Sequence, residues 1–352
     1  MKKKTLLFTI GGSVLILLIA AISLIVDMYS VKLATGNGFA MSTTIDQQIY
    51  ARKSLRPDKI ISETMSSLKA FEDRFSLFRE GSEIDEINRN AGVAYVNVSE
   101  ETFALIKKAV SCCEMSEGLF DITIAPVTQA WGVNSDNPRV PPQEELDALK
   151  QLVNYEDILL DEENHAVMLR QKGQSIDLGA VAKGEACNVV RDLYRQNEVT
   201  AGLLSIGGNI MVTGKKPNGS DFVIGIRNPR GQPNDVIGTV RLTDEVLSTS
   251  GDYERVFVQD GKRYHHIMDP ATAAPAETDL MSVTVVCEDG IYADFLSTWL
   301  FLLGRDEVLR RMESIDAGIV AIDKDYNIYV SPNLRDVFTP VEGSAYTYHL
   351  DF

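Results

Sequence analysis

The chain has 352 residues, 45% hydrophobic and 24% charged, with a formal net charge of −16 at pH 7. That length is ample for a large core or two intimate lobes. The acidic charge is spread along the chain without a basic stripe, which argues for solubility and against nucleic acid as a partner. The four cysteines, Cys112, Cys113, Cys187 and Cys287, form no CxxC pair and fit no zinc spacing, so they are read as small buried apolar residues.

Three lysines follow Met1, and the run from Leu6 to Val26 carries no charge. It is long enough to span a bilayer and exceeds the apolar core of a cleavable signal peptide. No cysteine precedes Cys112, so a lipid anchor on cysteine is not expected at this end. The reading is a cytoplasmic stub at 1–4, a transmembrane signal anchor at 5–27, a linker at 28–40 containing Gly36 and Gly38, and one domain at 41–352. The lysines would lie inside and the domain on the extracytoplasmic side of the cell membrane, as a single-pass protein.

Thr43 to Tyr50 alternates as a strand. Pro57 to Phe75 places Ile60, Ile61, Met65, Leu68 and Phe71 at helical steps. Ser82 and Ser99 are N-caps of two further helices, the first with Asp85 at the capping-box position. Residues 133 to 145 read as a polar loop. Strands are predicted over 153–160, 166–170, 202–206, 222–226, 236–242, 256–258 and 280–286. A strand and a helix should flank Asp177 to Gly184. A helix over 291–303 ends at Gly304, another covers 305–312, and 318–322 with 327–330 reads as a hairpin. Strands and helices mix without regular alternation, which predicts an α+β fold rather than a doubly wound sheet.

Asp294, Ser297 and Thr298 recur at i, i+3 and i+4, so on a helix their oxygens share one face. Oxygen-only ligands on rigid backbone suit a hard cation such as Mg²⁺, with Mn²⁺ and Ca²⁺ not separated by donor type alone. Helix N-cap chemistry accounts equally for Asp294 but poorly for Thr298 in mid-helix. His265 and His266 precede the Asp269-Pro270 turn and offer a base beside this cluster. The stretch from Asp177 to Gly184 is a small-residue turn into a helix, suited to a phosphate with Lys183 as countercharge, or to a plain tight connection. Gly207-Gly208 ends a strand without a GxGxxG pattern, as a cradle or a turn. Asp121 lies in an apolar run and needs a partner, either a ligand or backbone amides.

Taken in order, these stretches resemble the ApbE family of FAD:protein FMN transferases. The resemblance runs from about Met41 to Gly304. It rests on Phe75 to Phe78 with Ser82 to Ile84 and Asn88, Gly118 to Thr123, Asp177 to Gly184, Gly207 to Asn209, Thr249 to Arg255, His266 to Pro270 and Ala293 to Thr298. It implies a single T-fold-like α+β domain that binds FAD and Mg²⁺ in a cleft. Such an enzyme joins FMN to a threonine or serine hydroxyl of an acceptor flavoprotein and releases AMP. Carried over, Mg²⁺ would be held by the Ala180 carbonyl, Asp294 and Thr298. FAD would touch Met41, Phe78, Leu119, Phe120, Asp121, Asp177, Lys183, Ile267 and Met268, and His266 would be the catalytic base. The acceptor would be an exported or membrane-facing flavoprotein, such as a subunit of an electron-transfer complex. Three positions depart from the pattern: Ser42 and Ala273 stand where glycine is usual, and Asn188 where aspartate is frequent. The same site would serve an FAD pyrophosphatase yielding FMN and AMP. A non-catalytic FAD carrier would have no need of a metal site and a base together.

Overall fold

The computed structural model describes residues 2–350, with side chains from Gly12 onward. Met1 of the expected cytoplasmic stub, and Asp351 and Phe352 at the far end, lie outside the described residues. The first helix, α1 (Lys2–Tyr29), contains Gly12–Tyr29, a stretch of mean hydropathy 2.2 that is long and apolar enough to cross a membrane. None of that stretch is buried against the rest of the protein.

A nine-stranded sheet organises the described residues: β1 (Val31–Ala40), β2 (Thr43–Arg52), β3 (Ala201–Ile206), β4 (Asn209–Thr213), β5 (Val246–Gly251), β6 (Leu280–Cys287), β7 (Gly318–Asp323), β8 (Asn327–Val330) and β9 (Thr347–His349). Spatial order follows chain order. Every adjacent pair is antiparallel except β8 and β9, which run parallel. On one face lie α2 (Pro57–Phe75), α3 (Glu100–Met115), α4 (Gly179–Gln196) and α5 (Gly290–Leu303), around a core that includes Ile45, Leu68, Phe71, Val190, Phe295 and Leu300. On the other face a three-stranded sheet formed by Phe222–Arg227, Val236–Leu242 and Phe338–Pro340 buries Phe222, Ile224 and Val240 against Val286, Val320 and Ile322. The architecture is therefore α+β, a mixed sheet layered between helices and a smaller sheet.

The stretch read as a linker is in part something else. Val31–Ala40 is a full edge strand, paired residue for residue with β2. Gly36 and Gly38, taken as spacer residues, are packing residues. A Cβ on Gly36 would stand 2.3 Å from Ile61 Cγ2, and one on Gly38 2.5 Å from Met65 Cε, so the missing side chains let α2 lie close on the strand. The Met41-Ser42 turn joining β1 to β2 holds both residues at positive φ, 53° and 57°. Glycine is favoured at such positions, and Ser42 departs from it.

Two smaller differences concern local structure. The loop expected at 133–145 gives way to a helix at Gln143–Lys150 behind Pro142. No strand leads directly into Asp177. That segment is irregular and tied down by Ile176 N–H donating to Asn88 Oδ1 and Asp177 N–H to Ile122 O, both at 2.8 Å. All four cysteines are free thiols. Burial pushes Cys112 up to about 12, as expected of a residue that serves as apolar filling.

Candidate functional site

The site is assembled where α4 and α5 cross. A Cβ on Gly184 would fall 2.0 Å from the Gly290 carbonyl oxygen, and one on Gly290 2.1 Å from that of Gly184, so the two backbones touch. Gly290 N–H donates to Asn188 Oδ1 (2.9 Å) and Asp289 caps α5 through Tyr292 N–H (3.1 Å). Asn188, in place of the frequent aspartate, thus supplies the same kind of acceptor oxygen. The close crossing brings Asp294, 4% exposed, within reach of α4, and Gly184 N–H donates to Asp294 Oδ2 at 3.1 Å.

Around this carboxylate the oxygens gather as the helical spacing predicts, with two serines of β5 added. Ser248 Oγ donates to Asp294 Oδ1 (3.1 Å), and Ser250 Oγ lies 2.9 Å from Ser297 Oγ and 3.1 Å from Thr298 Oγ1. Lys183 Nζ donates to Gly179 O (2.7 Å) and stands 3.7 Å from Asp294 Oδ2. Among the described residues no three His, Cys, Asp or Glu side chains form a ligand cluster. The donor set is one carboxylate, hydroxyls and nearby backbone carbonyls. This all-oxygen set fits Mg²⁺, which takes one or two carboxylates and keeps water in its remaining positions.

Beside the cluster opens a cavity of about 520 Å³. Ala180, Asp294 and Thr298 line it, as do Leu119, Phe120, Asp121, Asp177, Lys183, His266, Ile267 and Met268. Two expected residues are not in its wall. Phe78 stands 71% exposed on the loop between α2 and the next helix, and Met41 packs half-buried against the helix-side core in the β1–β2 turn. Sequence order carries no information on which way these turn residues face. Thr43 and Thr44, just past that turn, do line the cavity, with the Gly207-Gly208 turn beside them.

The two adjacent histidines separate, because successive residues of an extended segment face opposite sides. His265 is buried. It donates from Nε2 to Ala276 O (3.0 Å), accepts Ile267 N–H at Nδ1 (3.3 Å) and meets the Phe301 ring edge-on. Burial lowers its pKa, keeping this neutral tautomer. His266 faces the cavity and donates from Nδ1 to Glu254 O at 3.2 Å, which leaves the Nε2 lone pair as an acceptor. Burial, reinforced by the positive charges of Arg255 and Lys183, pushes His266 down to about 3. The imidazole is therefore neutral at physiological pH.

The two aspartates of the cavity wall differ. Asp121 spends both oxygens on the protein: Oδ1 accepts from Thr123 N (2.8 Å) and Oγ1 (2.6 Å), and Oδ2 from Tyr155 N (2.9 Å). It is the cap of a short 3-10 turn, Ile122–Ile124, set in the cavity wall. Asp177 Oδ1 accepts from Gly179 N (2.8 Å), and burial raises its pKa against the pull of that bond, Lys183 and Arg255. Arg255 and Ser250 sit within the Thr249 to Arg255 stretch and Ser248 just before it, but their placement appears only with the strand in place. Ser248 and Ser250, two apart, share the face that meets α5.

The family model described as the ApbE family matches residues 41–322. An FAD:protein FMN transferase of Klebsiella pneumoniae is 34% identical over 288 residues, covering 81% of this chain and 89% of the relative. One of Treponema pallidum is 31% identical over 280 residues, covering 75% and 77%. Among solved structures, the ApbE protein of Thermotoga maritima superposes with a TM-score of 0.80 at 34% identity, covering 86% of this chain and 98% of its own. The flavin transferase ApbE of Vibrio cholerae gives 0.77 at 26%, covering 88% and 100%. The architecture, the oxygen cluster at the α4–α5 crossing and these likenesses lead to one conclusion: the chain belongs to the ApbE family.

Proposed function

We propose that this protein transfers FMN from FAD to a threonine or serine hydroxyl of an acceptor flavoprotein, releasing AMP, in an Mg²⁺-dependent reaction. The observation that carries the reading is the cavity in which Asp294, Ser250, Thr298 and Lys183 share a wall with a neutral histidine. The names and structures of the relatives support flavin transfer as the class of reaction.

The proposed roles follow from the chemistry of the groups. Asp294, Thr298 and the Ala180 carbonyl hold the metal, which when bound withdraws charge from the diphosphate. Lys183, at the N-terminal turn of α4, attracts the same diphosphate. Leu119, Phe120, Ile267 and Met268 give the rings apolar walls, and Asp177 lies beside them. The acceptor oxygen attacks the phosphorus of the FMN half, forming a new P–O bond as the bond to the AMP oxygen breaks. His266 Nε2 takes the hydroxyl proton. A base at about 3 is weak, but two of the causes of its depression are the charges of Arg255 and Lys183. A bound diphosphate offsets those charges and so raises the imidazole from that value, while burial, the largest cause, remains.

The apolar N-terminal helix supports a membrane-anchored enzyme. We assign the domain to the extracytoplasmic side on the basis of the lysines before the helix. The acceptor is then an exported or membrane-facing flavoprotein, such as a subunit of an electron-transfer complex. A soluble form should begin no later than Val31, since a later start cuts into β1.

The test incubates the full chain in detergent with FAD, Mg²⁺ and such an acceptor, following acceptor mass and AMP. An FMN-sized gain, lost with EDTA and reduced roughly a hundredfold or more in Asp294→Ala, is expected if the metal supplies several kcal/mol to the transition state. AMP and free FMN without acceptor gain would instead identify a pyrophosphatase. Bound, intact FAD would identify a carrier.

A further inference from the structure

Asn209 opens β4 immediately after the Gly207-Gly208 turn and lies in the cavity wall. It is 1% exposed, and its Nδ2 is one of two buried side-chain nitrogens among the described residues with no hydrogen-bond partner. The other, Arg191 Nε, belongs to a guanidinium already engaged by Glu288 O and Asn188 Oδ1 at the α4–α5 crossing. An unpaired buried donor destabilises a fold, so its retention calls for a reason.

Its position supplies one. The register of β4 with β5 sets Asn209 opposite Ser248. Directly opposed residues of antiparallel strands have Cβ atoms about 4.5–5.5 Å apart on the same face. That face is the helix side, because Met211, two residues on, belongs to the helix-side core. Ser248 Oγ in turn bonds Asp294, and Lys183 stands 3.7 Å from that carboxylate. Asn209 is therefore a neighbour of the polar, phosphate-attracting end of the cavity. The apolar side chains suited to rings, Leu119, Phe120, Ile267 and Met268, come from other segments.

We propose that Asn209 Nδ2 donates a hydrogen bond to a diphosphate oxygen of the bound flavin dinucleotide, and that its unpaired state is a stability cost retained for that contact. The inference rests on the flavin reading above. It adds a binding residue at the diphosphate, beyond Lys183 and the metal ligands.

The test uses the full chain in detergent with two variants. Asn209→Leu keeps the approximate shape and removes the amide, and Asn209→Asp keeps the shape but replaces the donor with a carboxylate oxygen. Thermal unfolding without ligand is measured beside titrations with FAD and with riboflavin, which has no phosphate. The expected result is that Asn209→Leu unfolds at the same or a higher temperature without ligand, yet binds FAD about tenfold more weakly. Asn209→Asp should bind FAD more weakly still, through repulsion, and neither variant should change riboflavin affinity. Unchanged FAD affinity in Asn209→Leu would overturn the proposal, as would an equal loss for FAD and riboflavin. Tighter Mg²⁺-dependent FAD binding by Asn209→Asp would also overturn it, since the side-chain oxygen would then be facing the cation. Failure of the wild type to bind FAD would refute the flavin reading itself, a result distinct from these.

Discussion

Gly184→Ala probes the crossing on which the site is built. The new Cβ would lie 2.0 Å from the Gly290 carbonyl oxygen, with its carbonyl carbon at 2.4 Å. A carbon–oxygen contact relaxes at about 3.3 Å, so α4 and α5 must separate by roughly 1.3 Å. The atoms in the way are backbone, which cannot rotate aside. The same shift stretches the 3.1 Å bond from Gly184 N–H to Asp294 Oδ2 beyond hydrogen-bonding range. Overpacking costs about 1–3 kcal/mol and a lost bond to a buried carboxylate about 1.5–3, while alanine in a helix returns up to about 1. The net is a loss of roughly 1.5–6 kcal/mol, or about 2–9 °C in the unfolding midpoint of a domain this long. A misplacement of the order of 1 Å at Asp294 should also slow the proposed Mg²⁺-dependent transfer by about a hundredfold. Thermal unfolding and steady-state transfer read the two effects separately. A variant as stable and as active as the wild type would refute the claim that backbone contact at this crossing positions the carboxylate.

His266→Gln should reduce transfer more than FAD binding, because Nε2 is assigned to the proton and not to the ligand; equal losses would make it a binding residue. The same variant tests linkage. His266 is held at about 3 in the fold, well below an ordinary histidine near 6.5, so the unfolded chain binds the extra proton first. The ligand-free wild type should therefore lose stability as pH falls below about 6.5, and His266→Gln should lose less over that interval. Parallel unfolding curves for the two proteins from pH 7 to 4 would show that the imidazole is not held neutral. Ser42→Gly places glycine at a φ of 57° and should raise ligand-free stability by up to about 1 kcal/mol, read as a shift of the denaturant midpoint at constant slope.

Much of this protein was legible in its sequence. The i, i+3, i+4 spacing of Asp294, Ser297 and Thr298 placed their oxygens on one helical face, and the hydrogen bonds to Ser248 and Ser250 follow from that face meeting β5. The bounds of α2 read directly from its apolar period and Pro57. Such features depend on local periodicity, which any stretch of chain carries within itself. What local pattern does not encode is which surfaces meet. Gly36 and Gly38 looked like spacer and proved to be contact points for α2, because a missing side chain gains meaning only from what packs against it. Gly184 and Gly290 stand more than a hundred residues apart, and only their contact explains both. Thr123 and Tyr155 bond both oxygens of Asp121, partners that the sequence did not name. His265 and His266 were indistinguishable as neighbours until the fold buried one and turned the other to the cavity. The sequence by itself determined which donor groups the candidate site offers, since side-chain type and helical phase are properties of residues. The tertiary structure decided which of those residues face the cavity, because direction is set by long-range packing.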